Sequence, residues 1–396
     1  MMQLQFWKKN KAEQKKKPVW REWLDAGVFA IVAATIIRTF FIEAYTIPTG
    51  SMEGSMLIND FLFVSKTAYG PRVPNTPLAF PLVHNTMPIT GGKSYTEAVQ
   101  WKYHRLPGFG HVQLNDVVVF NFPNGDTVVV EKPNQDYYDI CMAMGGSEIV
   151  KATYPIVTRP VDKKDNYIKR CVGLPGDKIQ LIDGVLYVND RPAELFPHAQ
   201  MHYIVEVKGT GLSSEYLEDN GIVYRNASGN KYELTIPNNK LDLIKKNPNV
   251  VAVQLDFLPR TIPEMNIFPK DPEHFKWNHD NYGPITIPKK GVTVTLTPEN
   301  IALYRRVIFN YEGNSFEQKE GKFYINGQEA KTYTFKMDYY WMMGDNRHES
   351  ADSRYFGYVP EDHIVGKASF VWLSYEGSIF NLRWKRLLRS VTSLSR

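Results

Sequence analysis

An uncharged apolar run behind a cluster of lysines limits this chain more than any other feature. Residues 8–17 read Lys-Lys-Asn-Lys-Ala-Glu-Gln-Lys-Lys-Lys, and Arg21 follows. Ala26 to Ile37 carries no charge; Arg38 interrupts, and Thr39-Phe40-Phe41-Ile42 resumes the pattern. At about 17 residues the run is at the short end of a bilayer-spanning helix. Arg38 lies near one end, where a long side chain snorkels to the headgroups. The lysines predict a cytoplasmic N-terminus, which puts everything after residue 42 on the outer face. A cleaved signal peptide needs small residues before its cut, and Ile42-Glu43-Ala44 matches that poorly. A buried amphipathic helix is the remaining alternative, disfavoured by the unbroken run after the lysines. The expected organisation begins with a basic cytoplasmic tail (1–23) and a transmembrane anchor (24–42).

The rest reads as folded protein. With 43% hydrophobic and 22% charged residues in 396, the chain is too apolar for disorder and too mixed for a polytopic membrane protein. Its 23 tyrosines and 21 phenylalanines favour strands. The net charge of +5 sits at the two ends and does not point to nucleic acid. Two cysteines, Cys141 and Cys171, exclude a disulfide scaffold, and a bridge between them is not indicated. No CxxC or His-rich spacing suggests zinc. His198 and His202 come nearest to a ligand pair and read better as a surface loop. No metal or organic cofactor is expected.

Downstream of Glu43 the pattern is mainly β. Phe61–Val64 reads as a short strand. Residues 116–131 read as a hairpin around Asn124-Gly125, and Lys178 to Val188 as a second around Asp183-Gly184. Tyr167–Val172 is a strand closed by Gly173-Leu-Pro-Gly176. Gly184-Val-Leu-Tyr-Val-Asn-Asp190 and Gly321-Lys-Phe-Tyr-Ile-Asn-Gly327 are related strand-then-turn phrases. The stretch 195–320 is richer in Asn, Pro, Lys and Asp and carries no chemical motif beyond a short helix near Leu241. It is expected as a subdomain inserted between two parts of a β core, 43–194 and 321–378. The basic amphipathic end, 379–396, suits either an anionic membrane surface or a solvated helix.

Three stretches hold residues capable of chemistry. In Ile47-Pro-Thr-Gly-Ser51-Met-Glu-Gly-Ser-Met56, Gly50 lets the backbone turn and expose the Ser51 hydroxyl. A serine hydroxyl is a weak nucleophile until a base takes its proton; Thr49, Ser51 and Ser55 also suit simple turn capping. In Tyr167-Ile-Lys169-Arg170-Cys-Val-Gly, strand geometry puts Lys169 on one face and Arg170 on the other. A lysine titrates near 10.4, and burial without a counter-ion lowers that value; reaching about 8 costs about 3 kcal/mol. In Gly344-Asp-Asn-Arg347-His-Glu-Ser350-Ala-Asp352-Ser-Arg354, Asp352 and Arg354 are expected to pair with each other or with Ser350. That network would fix a base without neutralising it.

Taken in order behind the anchor, these stretches resemble bacterial type I signal peptidases, membrane-bound serine proteases that use a Ser/Lys dyad. The resemblance covers about 26–190 and 321–375, and Asn115-Asp-Val-Val-Val-Phe120 is similar to the intervening strand motif. It implies a signal-peptidase-like β core with an N-terminal transmembrane helix. It implies Ser51 as nucleophile, Lys169 as general base, and Thr49 with the Ser51 backbone N–H as oxyanion hole. Ser350 would hydrogen-bond the lysine, supported by Asp352 and Arg354. Exported preproteins bearing signal peptides would be the substrates, and membrane lipid the other partner. Two positions depart from the family pattern: Gly54-Ser55-Met56 stands where Pro-Thr-Leu is common, and Asn115 where Gly is usual. Ser51 follows Ile42 by nine residues, so it lies at most about 30 Å from the membrane exit, within reach of a cleavage site held at the bilayer.

Rival readings are weaker. A self-cleaving repressor lacks an anchor and needs a helix-turn-helix. Penicillin-recognising enzymes keep serine and lysine three residues apart on a helix. A non-enzymatic β scaffold that binds a partner through the insertion would have no need of an intact Ser51 and Lys169.

Overall fold

A computed structural model describes residues 18–123, 127–132 and 135–395. The lysine cluster at 8–17 and the Asn124-Gly125 turn lie outside the described residues. Helix α1 (Val19–Phe40) has 22 residues, none buried, about 33 Å of rise at 1.5 Å each. It starts before the expected anchor and stops short of its end. Phe41 leaves the helix, and Ile42 opens strand β1 (Ile42–Thr46). Arg38 does not snorkel alone: its Nε donates to Glu43 Oε1 at 2.7 Å, and Lys66 Nζ lies 2.8 Å from the other carboxylate oxygen. Burial would raise the pKa of Glu43, but Lys66 and Arg38 override it and pull it down to about 2.

The fold is mainly β. Its central sheet joins β1, β2 (Asp60–Ser65), β3 (Val117–Asn121), β4 (Asn166–Gly173), β5 (Tyr339–Met343) and β6 (Ile364–Glu376). Their order is β1-β2-β6-β3-β4-β5, antiparallel throughout. β2 alternates buried Asp60, Leu62 and Val64 with half-covered neighbours, the signature of a sheet with one packed face. β3 is buried along its whole length and reads as an unbroken apolar run for that reason. Ile47, Met52, Met56, Leu62, Val64, Val117 and Val371 close one face; Val118, Phe120, Cys171 and Met342 close the other.

The hairpin expected at 116–131 does not form. β3 pairs with β4 and β6, whereas Thr127–Val129 pairs with Ile156–Thr158. Both partners of β3 are remote in sequence, and burial on both faces outweighs the local turn signal. The hairpin at Asp183-Gly184 is present, with both residues at positive φ.

Residues 195–320 do not behave as one unit. Gln200–Val207, Val223–Ser228, Lys231–Pro237 and Val250–Leu255 make a four-stranded sheet with its own apolar cluster. Tyr282–Thr286 instead pairs with Lys178–Ile182, and Ile301, Leu303 and Val307 pack with Trp341 of β5. The C-terminal segment is not a continuous amphipathic helix. Ser378–Leu382 and Arg389–Ser390 pair with β6, and helical turns are confined to Trp384–Arg386 (3₁₀) and Val391–Ser395.

Candidate active site

Ser51 sits in a single 3₁₀ turn, Gly50–Met52, on the loop between β1 and β2. The loop is anchored by Met52 and Met56, both fully buried, each worth about 1.5–3 kcal/mol of apolar burial. Ile47 closes its ends: the Ile47 N–H donates to Asp60 O and the Asn59 N–H to Ile47 O, both at 2.9 Å. The third stretch then grips the turn from outside the sheet. Asn346 donates its backbone N–H to Ser51 O and its Nδ2 to Gly50 O, each at 3.2 Å. Gly344 lies so close that a Cβ there would overlap Ser51 O and Ser350 Oγ, so only glycine fits.

Lys169 projects from β4, paired with Val118 of β3, and is 3% exposed. Its Nζ donates to Ser51 Oγ at 2.6 Å and to Ile168 O at 3.0 Å. Among the described residues it forms no ion pair. Burial pushes its pKa down to about 8, while the more distant Asp352 and Asp345 carboxylates pull it partly back. Thus two buried residues 118 apart in sequence meet, one of them an amine whose pKa is brought close to physiological pH.

The other expected residues divide. Thr49, two positions before Ser51, is exposed, extended and makes no capping hydrogen bond. Asp352 and Arg354 pair with each other, Nε to Oδ1 and Nη2 to Oδ2 both at 2.9 Å. Asp352 also accepts the Gly344 N–H at 3.1 Å, so the pair holds the backbone that packs on Ser51. The expected Ser350–Lys169 hydrogen bond is absent. Nζ points at Ser51 Oγ and Ile168 O, and Ser350 Oγ is buried over Gly344 without a hydrogen-bond partner.

Sequence reasoning missed the second ion pair. Arg170 Nε and Nη2 clamp Asp345 Oδ1 and Oδ2 at 2.7 and 2.5 Å, and Arg170 also donates to Asn115 O and Ser395 Oγ. The available signal was the alternation on β4, which turns Arg170 away from Lys169. The inserted sheet reaches the site too: Gln200 N–H donates to Asp345 O, and Arg347 N–H to Gln200 O.

His198 and His202 do not form a ligand pair. His202 instead stacks on His348 at 4.6 Å, and His279, Asp280 and His348 bring three donor atoms within 4.8 Å of one another. The protons already present close that cluster. His348 Nδ1 accepts the His202 N–H, leaving its own proton on Nε2 for Asp280 Oδ1. His279 contacts Glu264 through Nδ1 at 2.7 Å and Asp280 through Nε2 at 3.2 Å. Burial would lower its pKa, but those carboxylates lift it to about 9. This is an ion-paired strut between the 264–281 segment and the third stretch, in which every ring nitrogen of His279 and His348 is already engaged.

A mainly β core behind an apolar helix, with a serine hydroxyl against a buried amine, fits the hydrolases. The family model for signal peptidases, peptidase S26, matches residues 20–373. The chain belongs to that family and is a serine endopeptidase. Among its relatives, the signal peptidase I of Rickettsia felis is 26% identical over 366 residues, 92% of this chain and 84% of that protein. The signal peptidase I of Rickettsia typhi is 27% identical over 348 residues, covering 87% and 77%.

Proposed function

We propose that this chain is a single-span membrane peptidase that removes signal peptides from exported preproteins, with Ser51 as nucleophile and Lys169 as general base. The observation that carries the reading is the 2.6 Å contact between Lys169 Nζ and Ser51 Oγ in a covered pocket without an ion-pair partner. When the amine is neutral, the same contact runs from the Ser51 O–H to Nζ. The amine takes that proton as Oγ attacks the scissile carbonyl carbon. Negative charge then develops on the carbonyl oxygen, to which the Ser51 N–H and the Thr49 hydroxyl would donate. Collapse of the adduct expels the amine of the mature protein, which takes the proton back from Lys169. Water, deprotonated by the same lysine, releases the acyl group from Ser51. Asp352–Arg354 and Arg170–Asp345 act by holding the 344–346 backbone against Ser51, each carboxylate neutralised by its own arginine so that neither pins the lysine proton.

The lysines at 8–17 favour a cytoplasmic N-terminus and a catalytic core on the outer face. A fluorogenic peptide with Ala-x-Ala before the cut tests the mechanism. Turnover by the wild type and none by folded Ser51→Ala is expected; full activity in folded Ser51→Ala or Lys169→Ala removes the dyad.

A further inference from the structure

A cleft of about 190 Å³ opens beside the last turns of α1, and neither Ser51 nor Lys169 lines it. Arg38, Lys66, Arg72 and Lys163 face Glu43 and Asp162 across it, four cations against two carboxylates. Glu43 is shared by Arg38 and Lys66. Asp162 Oδ2 accepts the N–H and Oγ1–H of Thr76 at 3.0 and 2.9 Å, while its Oδ1 is unpartnered. Arg72 donates Nη2 to Asn121 Oδ1 at 2.7 Å.

Lys163 is the unbalanced group. It is only 8% exposed, yet among the described residues it forms no ion pair, and its ammonium rests 5.4 Å from the centre of the Tyr95 ring. Burial depresses its pKa, Asp162 opposes that, and repulsion from Arg38 and Arg72 adds to it. Cations crowded this way in a partly desolvated cleft repel one another unless they share an anion. The position of the cleft selects the anion. Thr35, Arg38 and Thr39 form one wall, so the opening lies at the end of a helix long enough to cross a bilayer. That is headgroup depth, and the exposed Phe80 and Leu82 beside it offer apolar surface to an acyl chain.

We propose that this cleft binds the phosphate of a glycerophospholipid headgroup, with Lys163 and Arg38 as its principal donors. A charge-assisted contact to phosphate is stronger than a neutral one, and losing one is expected to weaken retention about tenfold. The proposal depends on α1 spanning the membrane and not on the Ser51–Lys169 chemistry.

The test uses the full chain in nanodiscs of phosphatidylglycerol or of a phosphate-free glycosyl diacylglycerol, with retained lipid counted by native mass spectrometry. Phosphatidylglycerol retained by the wild type, about tenfold less by Lys163→Gln and restored by Lys163→Arg is the expected result. Equal retention of both lipids, or equal retention by wild type and folded Lys163→Gln, overturns it. So does calorimetric binding of inorganic phosphate that depends on Lys163 while no lipid is retained, which would assign the cleft to free phosphate. Should Lys163→Gln lose its cooperative melt, Arg38→Gln at the more exposed rim replaces it, and unchanged retention there overturns the proposal. Because bound lipid is the readout, failure leaves the dyad reading standing.

Discussion

β4 carries two buried cations side by side, and the regions on its two faces treat them in opposite ways. Arg170, 2% exposed, meets a bidentate carboxylate and three further acceptors. Lys169, 3% exposed, meets a hydroxyl and a carbonyl and no carboxylate in contact. The first environment gives its cation a partner in contact, and breaking that buried pair would strand the carboxylate. The second keeps the proton insecure, because desolvation is uncompensated. One strand thereby supplies a rigid post and, on the proposed mechanism, a base, and the difference lies in the partners brought to each face.

The comparison breaks most completely at the dyad. Ser51→Ala and Lys169→Ala are each expected to reduce preprotein cleavage by about 10⁴-fold or more with the thermal melt intact, measured on purified variants. On the opposite face the effect should be on stability. Arg170→Met leaves Asp345 buried and unpaired and is expected to destabilise by about 3–5 kcal/mol in denaturant titrations, with Arg170→Met/Asp345→Leu recovering most of it.

Lys169→Met should do the reverse. The folded pKa of about 8 lies below the unfolded value near 10.5, so below pH 8 the folded state carries the full penalty, about 3 kcal/mol. The unfolded chain binds more protons between about pH 8 and 10.5, so wild-type stability rises with pH across that window. Lys169→Met is therefore expected to melt higher than wild type at pH 7, with the gain fading by about pH 10.5. A variant that melts lower at pH 7 contradicts the uncompensated burial.

Smaller effects refine the picture. Thr49→Val should lower kcat about 10²-fold with KM nearly unchanged, as expected for a donor used only in the transition state. A drop confined to KM would make Thr49 a ground-state contact. Smallest of all, kcat/KM should rise about tenfold from pH 7 to pH 9 with its midpoint near 8, as the neutral fraction of Lys169 climbs. A profile flat across that range would mean that the amine is already neutral, or never is, in the working enzyme.

Much of this was readable from the chain. Local pattern located α1, β2, the strand around Lys169 and the Asp183-Gly184 hairpin, because each rests on spacing within a few residues. The Asp352–Arg354 pair was one of the pairings expected within its own stretch. The hairpin at 116–131 failed because β3 is claimed by β4 and β6, a long-range competition that no turn signal reports. The same blindness hid Arg170–Asp345, separated by 175 residues; the Ser350–Lys169 bond came from the resemblance, and the packing does not make it.

What the amino-acid order settled was the apolar helix, the strand periodicity and which residue types were present to do chemistry, since these depend on neighbours along the chain. Folding settled whether an amine meets an alcohol, whether a carboxylate stands beside it, and how much water remains. Those are properties of strand register and burial, created when segments more than a hundred residues apart come to share one sheet.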